Sequence, residues 1–156
     1  MLKKILSLVL MLYCFLVIFY FSHQNSDLSS NLSKMAYDTA SDFTLFNWLF
    51  SVFPIRKVAH FCLYALTSLA IYSFISSWFN LKATMKNLMT IGVVFIYACS
   101  DEFHQSFIIG RSAEFRDVLI DCSGAICVLI CIAFIRKIYL VIRERKKNAY
   151  IKCTAK

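Results

Sequence analysis

Hydrophobic residues in this chain fall into four long runs, and polar residues gather at the joints between them. Ile5 to Phe21 carries no charged side chain, and Val58 to Phe79 has only His60 as a break. Leu88 to Ile109 takes in Asp101, Glu102 and His104, and Val118 to Ile135 takes in Asp121. Each run is near the roughly 20 residues an α-helix needs to cross a hydrocarbon core of about 30 Å. The pattern predicts an all-α chain, an integral membrane four-helix bundle. The uncharged part of the third run, Leu88 to Ser100, is too short to span alone. Its helix is expected to continue through the acidic cluster, because no Pro or Gly intervenes before Gly110.

The longest joint, Ser22 to Lys57, has a pattern of its own. Leu28, Leu32, Met35 and Thr39 repeat at helical spacing, with Ser26 or Asp27 placed to cap that helix. Phe46, Leu49, Phe50 and Phe53 form a second apolar stripe beside Trp48, and Pro54 closes the segment. A helical segment lying in the membrane interface between helices 1 and 2 is expected, serving as an anchor or as a lid over the polar cluster.

Composition strengthens the membrane reading. Of the 156 residues, 60% are hydrophobic, and the excess is concentrated in the runs. The net charge of +8 would suggest nucleic acid if the basic residues formed a stripe on a soluble surface. They stand at the ends of the apolar runs instead, so no nucleic-acid partner is expected. Lys3 and Lys4 precede the first run as in a signal peptide, but no A-x-A-like site follows, so the first span is expected to stay uncleaved.

Charge also predicts orientation. With the N-terminus in the cytoplasm, twelve basic residues fall inside and five outside (Lys34, Arg56, Lys57, Arg111 and Arg116). The positive-inside rule favours that arrangement: a multi-pass protein of the cell membrane with both termini cytoplasmic. Residues 1–140 form the membrane domain and 141–156 a basic cytoplasmic tail. Eight of the nine acidic residues then lie on the outer side. The seven cysteines include no C-x-x-C pair, six of them lie within the spans, and they read as small apolar packing residues.

The candidate chemistry lies at that outer end. His60 shares a helix face with Arg56 and Tyr64, Asp101 with His104 and Gln105, and Asp117 with Asp121. A charge left facing lipid costs about 2.5–3.5 kcal/mol at a helix centre. The groups are therefore expected to turn inward and converge in one pocket, where Arg56, Arg111 and Arg116 can pair with the acids. Two uses of such a pocket stand open. As a receptor, Arg56, Lys57, Arg111 and Arg116 would hold the phosphate or carboxylate of an amphiphile. As an enzyme, His104 or His60 would serve as base, Asp101 as its orienting carboxylate, and Arg111 or Arg56 as stabiliser of negative charge. No G-x-S-x-G elbow supplies a nucleophile. A metal set of His60, Asp101 and His104 lacks a paired His-x₃-His scaffold, so neither metal nor other cofactor is predicted. A purely structural network is the third alternative, since lipid gives no hydrophobic drive for helix association.

Three stretches in this order and spacing, "FSHQNSDLSSNLS", "RKVAHFCLYALTSLAIY" and "DEFHQSFIIGRSAEFRDVLIDCSG", resemble the VanZ-like membrane protein family. The resemblance runs from Phe21 to about Ile135. Its motifs are Ser22 and Gln24, then Arg56, Lys57 and His60, then Asp101, Glu102, His104 and Gln105. Gly110 and Arg111 follow, then Asp117, Asp121 and Gly124. Two positions depart from the family's pattern: His23 stands where a serine is usual, and Ile109 where a proline usually stops the third helix. The resemblance implies a bacterial cell-envelope protein whose namesake is associated with low-level teicoplanin resistance, and it supplies no established reaction. The expected ligand-binding residues are thus Ser22, Gln24, Arg56, Lys57, His60, Gln105, Arg111, Asp117 and Asp121. Asp101, Glu102 and His104 are expected to carry any catalysis. The expected partner is a membrane lipid or a lipid-linked envelope molecule, and the sequence leaves the oligomeric state open.

Overall fold

The computed structural model describes residues 1–24, 30–35, 38 and 54–154, with side chains as far as residue 148. Four long helices make up the bundle: α1 (Leu2–Ser22), α2 (Ile55–Trp78), α3 (Ala83–Gln105) and α4 (Phe115–Thr154). Each is long and apolar enough to cross a membrane. Residues 30–35 are also helical, within the joint where the first interfacial stripe was expected. The second stripe, Phe46 to Phe53, lies outside the described residues.

Local chemistry explains where the helices start and stop. Pro54 has no N–H to lose and its ring sets φ to −55°, so it stands before the first turn of α2. Its carbonyl accepts from the N–H groups of Lys57 and Val58 at 2.9 and 3.2 Å. The third helix corrects the expected span. It starts earlier, at Ala83, passes through Asp101, Glu102 and His104, and ends at Gln105 rather than Ile109. Beyond it the bonding tightens to three-residue turns: Phe107 N–H to His104 O, Ile108 N–H to Gln105 O, and Arg111 N–H to Ile108 O. Gly110 completes the reversal at φ 77°, a left-handed conformation that costs a residue without a Cβ little. At about 1.5 Å per residue, the 40-residue α4 is about 60 Å long, twice a hydrocarbon core. The helix runs unbroken across residues 140 and 141, so the basic tail continues α4.

Consecutive helices run antiparallel. The ends of α1 and α3 therefore meet the starts of α2 and α4 at one end of the bundle. At the other end Trp78 Nε1 donates to Lys4 O at 3.4 Å, and Lys4 Nζ sits 5.2 Å from the Trp78 ring centroid. The core is narrow and apolar, with Ile18, Tyr64, Ile71, Ile75, Val94, Ala98, Val118 and Ala125 at its centre. Buried hydroxyls close back on their own helices: Thr67 on Leu63 O, Ser68 on Ala65 O and Thr90 on Lys86 O. The outer surface is the reverse of a soluble protein's. Leu6, Leu16, Leu66, Leu88, Ile96 and Ile130 are all well exposed. A continuous apolar surface of this extent fits lipid and not water.

Gly124 on α4 lets that helix approach α2 closely. A Cβ there would collide with the backbone carbonyl oxygen of Phe61 on α2 and crowd Ala65 N at 3.3 Å. A small residue at a membrane helix crossing lets the backbones approach, where van der Waals packing must replace the hydrophobic drive. This crossing holds the polar starts of α2 and α4 side by side.

Candidate functional site

Polar side chains that share helix faces in sequence share one volume in space, at the end where α1 and α3 stop and α2 and α4 start. Ser22, in the last turn of α1, donates its hydroxyl to Asp101 Oδ2 at 2.8 Å. Gln105, one turn beyond Asp101, donates Nε2 to the same oxygen at 3.0 Å and to Ser22 Oγ at 3.3 Å. Its Oε1 accepts from Arg56 at 2.8 Å. Ser22, Asp101 and Gln105 are all buried, and this chain of bonds ties α1, α2 and α3 together.

A second set joins α2, α3 and α4. Lys57 Nζ bonds Asp117 Oδ1 at 2.7 Å and lies 3.9 Å from Glu114. Asp117 stands in the first turn of α4, where the helix dipole favours a carboxylate. Glu102, buried on α3, accepts the backbone N–H of Glu114 at 2.9 Å. That contact satisfies a free donor at the start of α4 with a carboxylate from a neighbouring helix. The turn after α3 brings in Arg111, whose guanidinium donates to Phe21 O at 3.3 Å. Burial lowers the proton affinity of this guanidinium below its ordinary value. The nearby Arg56 charge lowers it further, while Asp101 and Glu102 act the other way.

The deepest groups are His60 and Asp121, each five or six residues into its helix. His60 Nδ1 lies 3.5 Å from Asp121 Oδ1, an ion-pair distance without hydrogen-bond alignment. Asp121 is fully buried, and both its oxygens and His60 Nδ1 lack a hydrogen-bond partner. The Tyr64 hydroxyl, Glu102 Oε1, and Arg111 Nε and Nη1 are also buried without one. Such groups are uncommon in folded interiors and costly to leave unmet.

Two cavities open beside these groups. One, of about 210 Å³, is polar: Arg56, Lys57, His60, Arg111, Asp117 and Asp121 line it together with the Gly110 turn. The other, of about 410 Å³, is mostly apolar, with Phe21, Leu32, Ile55, Ala59 and Leu63 on its walls and Gln24 at its edge. Arg56, His60 and Arg111 border both.

A protein-family model described as VanZ/LLP1 matches residues 6–136, most of the chain. The chain belongs to the VanZ/LLP1 family. No curated protein and no solved structure matches it. Four long apolar helices and this family together make it a multi-pass membrane protein.

Within this VanZ/LLP1 bundle, ten of the twelve residues singled out in the sequence line the polar cavity or bond to a residue that does, directly or through one neighbour. Gln24 borders the apolar cavity. His104 stands apart from the grouping expected for it. Its Nε2 lies 3.2 Å from His23 Nδ1, and its ring packs on Phe19 with centroids 5.0 Å apart. Asp101 is thus the partner of Ser22 and Gln105, not the orienting carboxylate of His104. The paired histidine and aspartate are His60 and Asp121, and depth along α2 and α4 was the signal for them. The role of His23 was not legible, because helical spacing within one run says nothing about a partner 81 residues away. Arg116, expected among the basic groups, is an exposed residue at the start of α4. The ligand atoms of His60, Asp101 and Asp121 all lie within 4.8 Å of one another, so they can converge on one cation.

Proposed function

We propose that this protein is a receptor for an anionic amphiphile, held at the outer leaflet with its headgroup in the polar cavity and its acyl chain in the apolar one. The observation that carries the reading is Arg111. It borders both cavities, and two of its three guanidinium nitrogens are buried without partners. An arginine so placed offers a bidentate fork to a phosphate or carboxylate, and Arg56 and Lys57 add charge around it. The apolar cavity, which the same arginine borders, suits the hydrocarbon of the same molecule. A phospholipid, a lipid-linked wall precursor and a lipid-tailed glycopeptide share this chemistry, and the last would connect the site to teicoplanin resistance. The orientation follows the charge asymmetry, with both termini cytoplasmic.

Native mass spectrometry of the protein released from its own membrane tests the reading directly. An anionic lipid or lipid-linked species retained by the wild type and lost in Arg111→Ala is the expected result. Equal retention by both would refute it. The His60–Asp121 pair supports a second reading, acid–base catalysis on the bound amphiphile. It predicts that His60→Gln abolishes a chemical change in the bound lipid while leaving its retention intact.

A further inference from the structure

Three residues from three helices form a group at the wall of the polar cavity. His60 of α2, Asp101 of α3 and Asp121 of α4 place one ligand atom each within 4.8 Å of the others. Asp121 is 0% exposed and Asp101 4%. Two buried carboxylates facing one imidazole need positive charge, because an ionised carboxylate without compensation is among the costliest groups to bury. Arg56 bonds Gln105, Lys57 bonds Asp117 and Arg111 donates to Phe21 O, and none of these bonds reaches Asp121. Asp121 forms no hydrogen bond through either oxygen, and His60 Nδ1 forms none. Asp101 differs: Ser22 and Gln105 both bond its Oδ2. Bonds of that kind orient a metal-ligating carboxylate and tune its basicity.

From this geometry we infer that His60, Asp101 and Asp121 form a binding site for one divalent transition-metal cation. One imidazole nitrogen and two carboxylate oxygens suit Zn²⁺ or Mn²⁺ better than the all-oxygen cages of Ca²⁺. Ligands about 2.1 Å from a shared ion stand roughly 3–4 Å apart, so side-chain rotation alone closes the group. Two charges on the ion match two carboxylates, with His60 neutral. His60 and Asp121 also line the polar cavity, so the ion is open to exchange from that side. The sequence alone led to no metal, since the set of His60, Asp101 and His104 lacks a paired His-x₃-His scaffold; in the structure Asp121 joins His60 and Asp101, while His104 faces His23.

The test uses full-length protein in phosphatidylcholine nanodiscs, stripped with chelator and titrated with Mn²⁺ under electron paramagnetic resonance. Mn²⁺ favours oxygen and nitrogen, so the cysteines do not compete. A zwitterionic lipid supplies no anionic headgroup, which separates failure here from failure of the amphiphile reading. One Mn²⁺ per chain, displaced by Zn²⁺, is the expected result. Asp121→Asn and His60→Gln should each weaken binding tenfold or more, and Glu144→Gln should leave it unchanged. Ser22→Ala keeps all three ligands and removes a bond to Asp101. It should weaken binding about tenfold or more, and it carries the test if the first two variants fail to fold. No saturable binding by the wild type would overturn the site, as would wild-type affinity in folded Asp121→Asn, His60→Gln or Ser22→Ala.

Discussion

Arg111 and His104 show how environment, more than residue type, sets a role at this site. Arg111 has two buried nitrogens without partners, and burial lowers its proton affinity. An anion arriving at the guanidinium supplies what it lacks. Arg111→Lys keeps the charge but loses the fork, and should weaken retention of an anionic amphiphile roughly tenfold in a lipid-binding titration. His104 packs against His23 and Phe19 at the edge of the cluster and, among the described residues, forms no ion pair. His104→Gln should therefore bind the amphiphile like wild type, measured in the same titration. A loss equal to that of Arg111→Lys would return His104 to the centre of the site.

Among the elements, α2 and α4 decide the geometry, because both start at the polar end and cross at Gly124. The collision awaiting a Cβ is with the backbone of Phe61 and Ala65, which cannot rotate away. Gly124→Ala should force the two helices apart and cost about 1–3 kcal/mol, the usual range for overpacking. A lower thermal midpoint in detergent is the expected readout, together with weaker amphiphile binding as His60 and Asp121 separate. An unchanged midpoint would show that the crossing is looser than the packing implies.

For the whole molecule the basic residues bear on orientation while the bundle holds itself together elsewhere. Of the twelve basic residues assigned to the cytoplasm, six lie from Arg143 onward, so removing 143–156 leaves six against the five assigned outside. The side chains of residues 143–148 are exposed. This truncation should leave the thermal midpoint almost unchanged while producing a mixed orientation. Labelling of single cysteines at positions 84 and 113, in a background without native cysteines, measures it. In the full-length chain position 113 should react from outside intact cells and position 84 only after permeabilisation.

The four spans, their order and the clustering of polar groups at one end were legible in the sequence. Apolar run length and the cost of charge in lipid act on a helix whatever its neighbours. Family membership was legible too, because its motifs are short strings held at fixed positions along the chain. The helix 3 terminus was not, since with Ile109 in place of proline the stop depends on the turn that Gly110 and Arg111 make. Nor was the wiring inside the cluster. Helical spacing places Asp101, His104 and Gln105 on one face, but how that face turns against α1 and α4 sends Asp101 to Ser22 and His104 to His23. The same packing brings Asp121 within reach of His60 and leaves its carboxylate without a hydrogen bond. Periodicity along a helix says which side chains travel together; only the crossing of helices decides which of them meet.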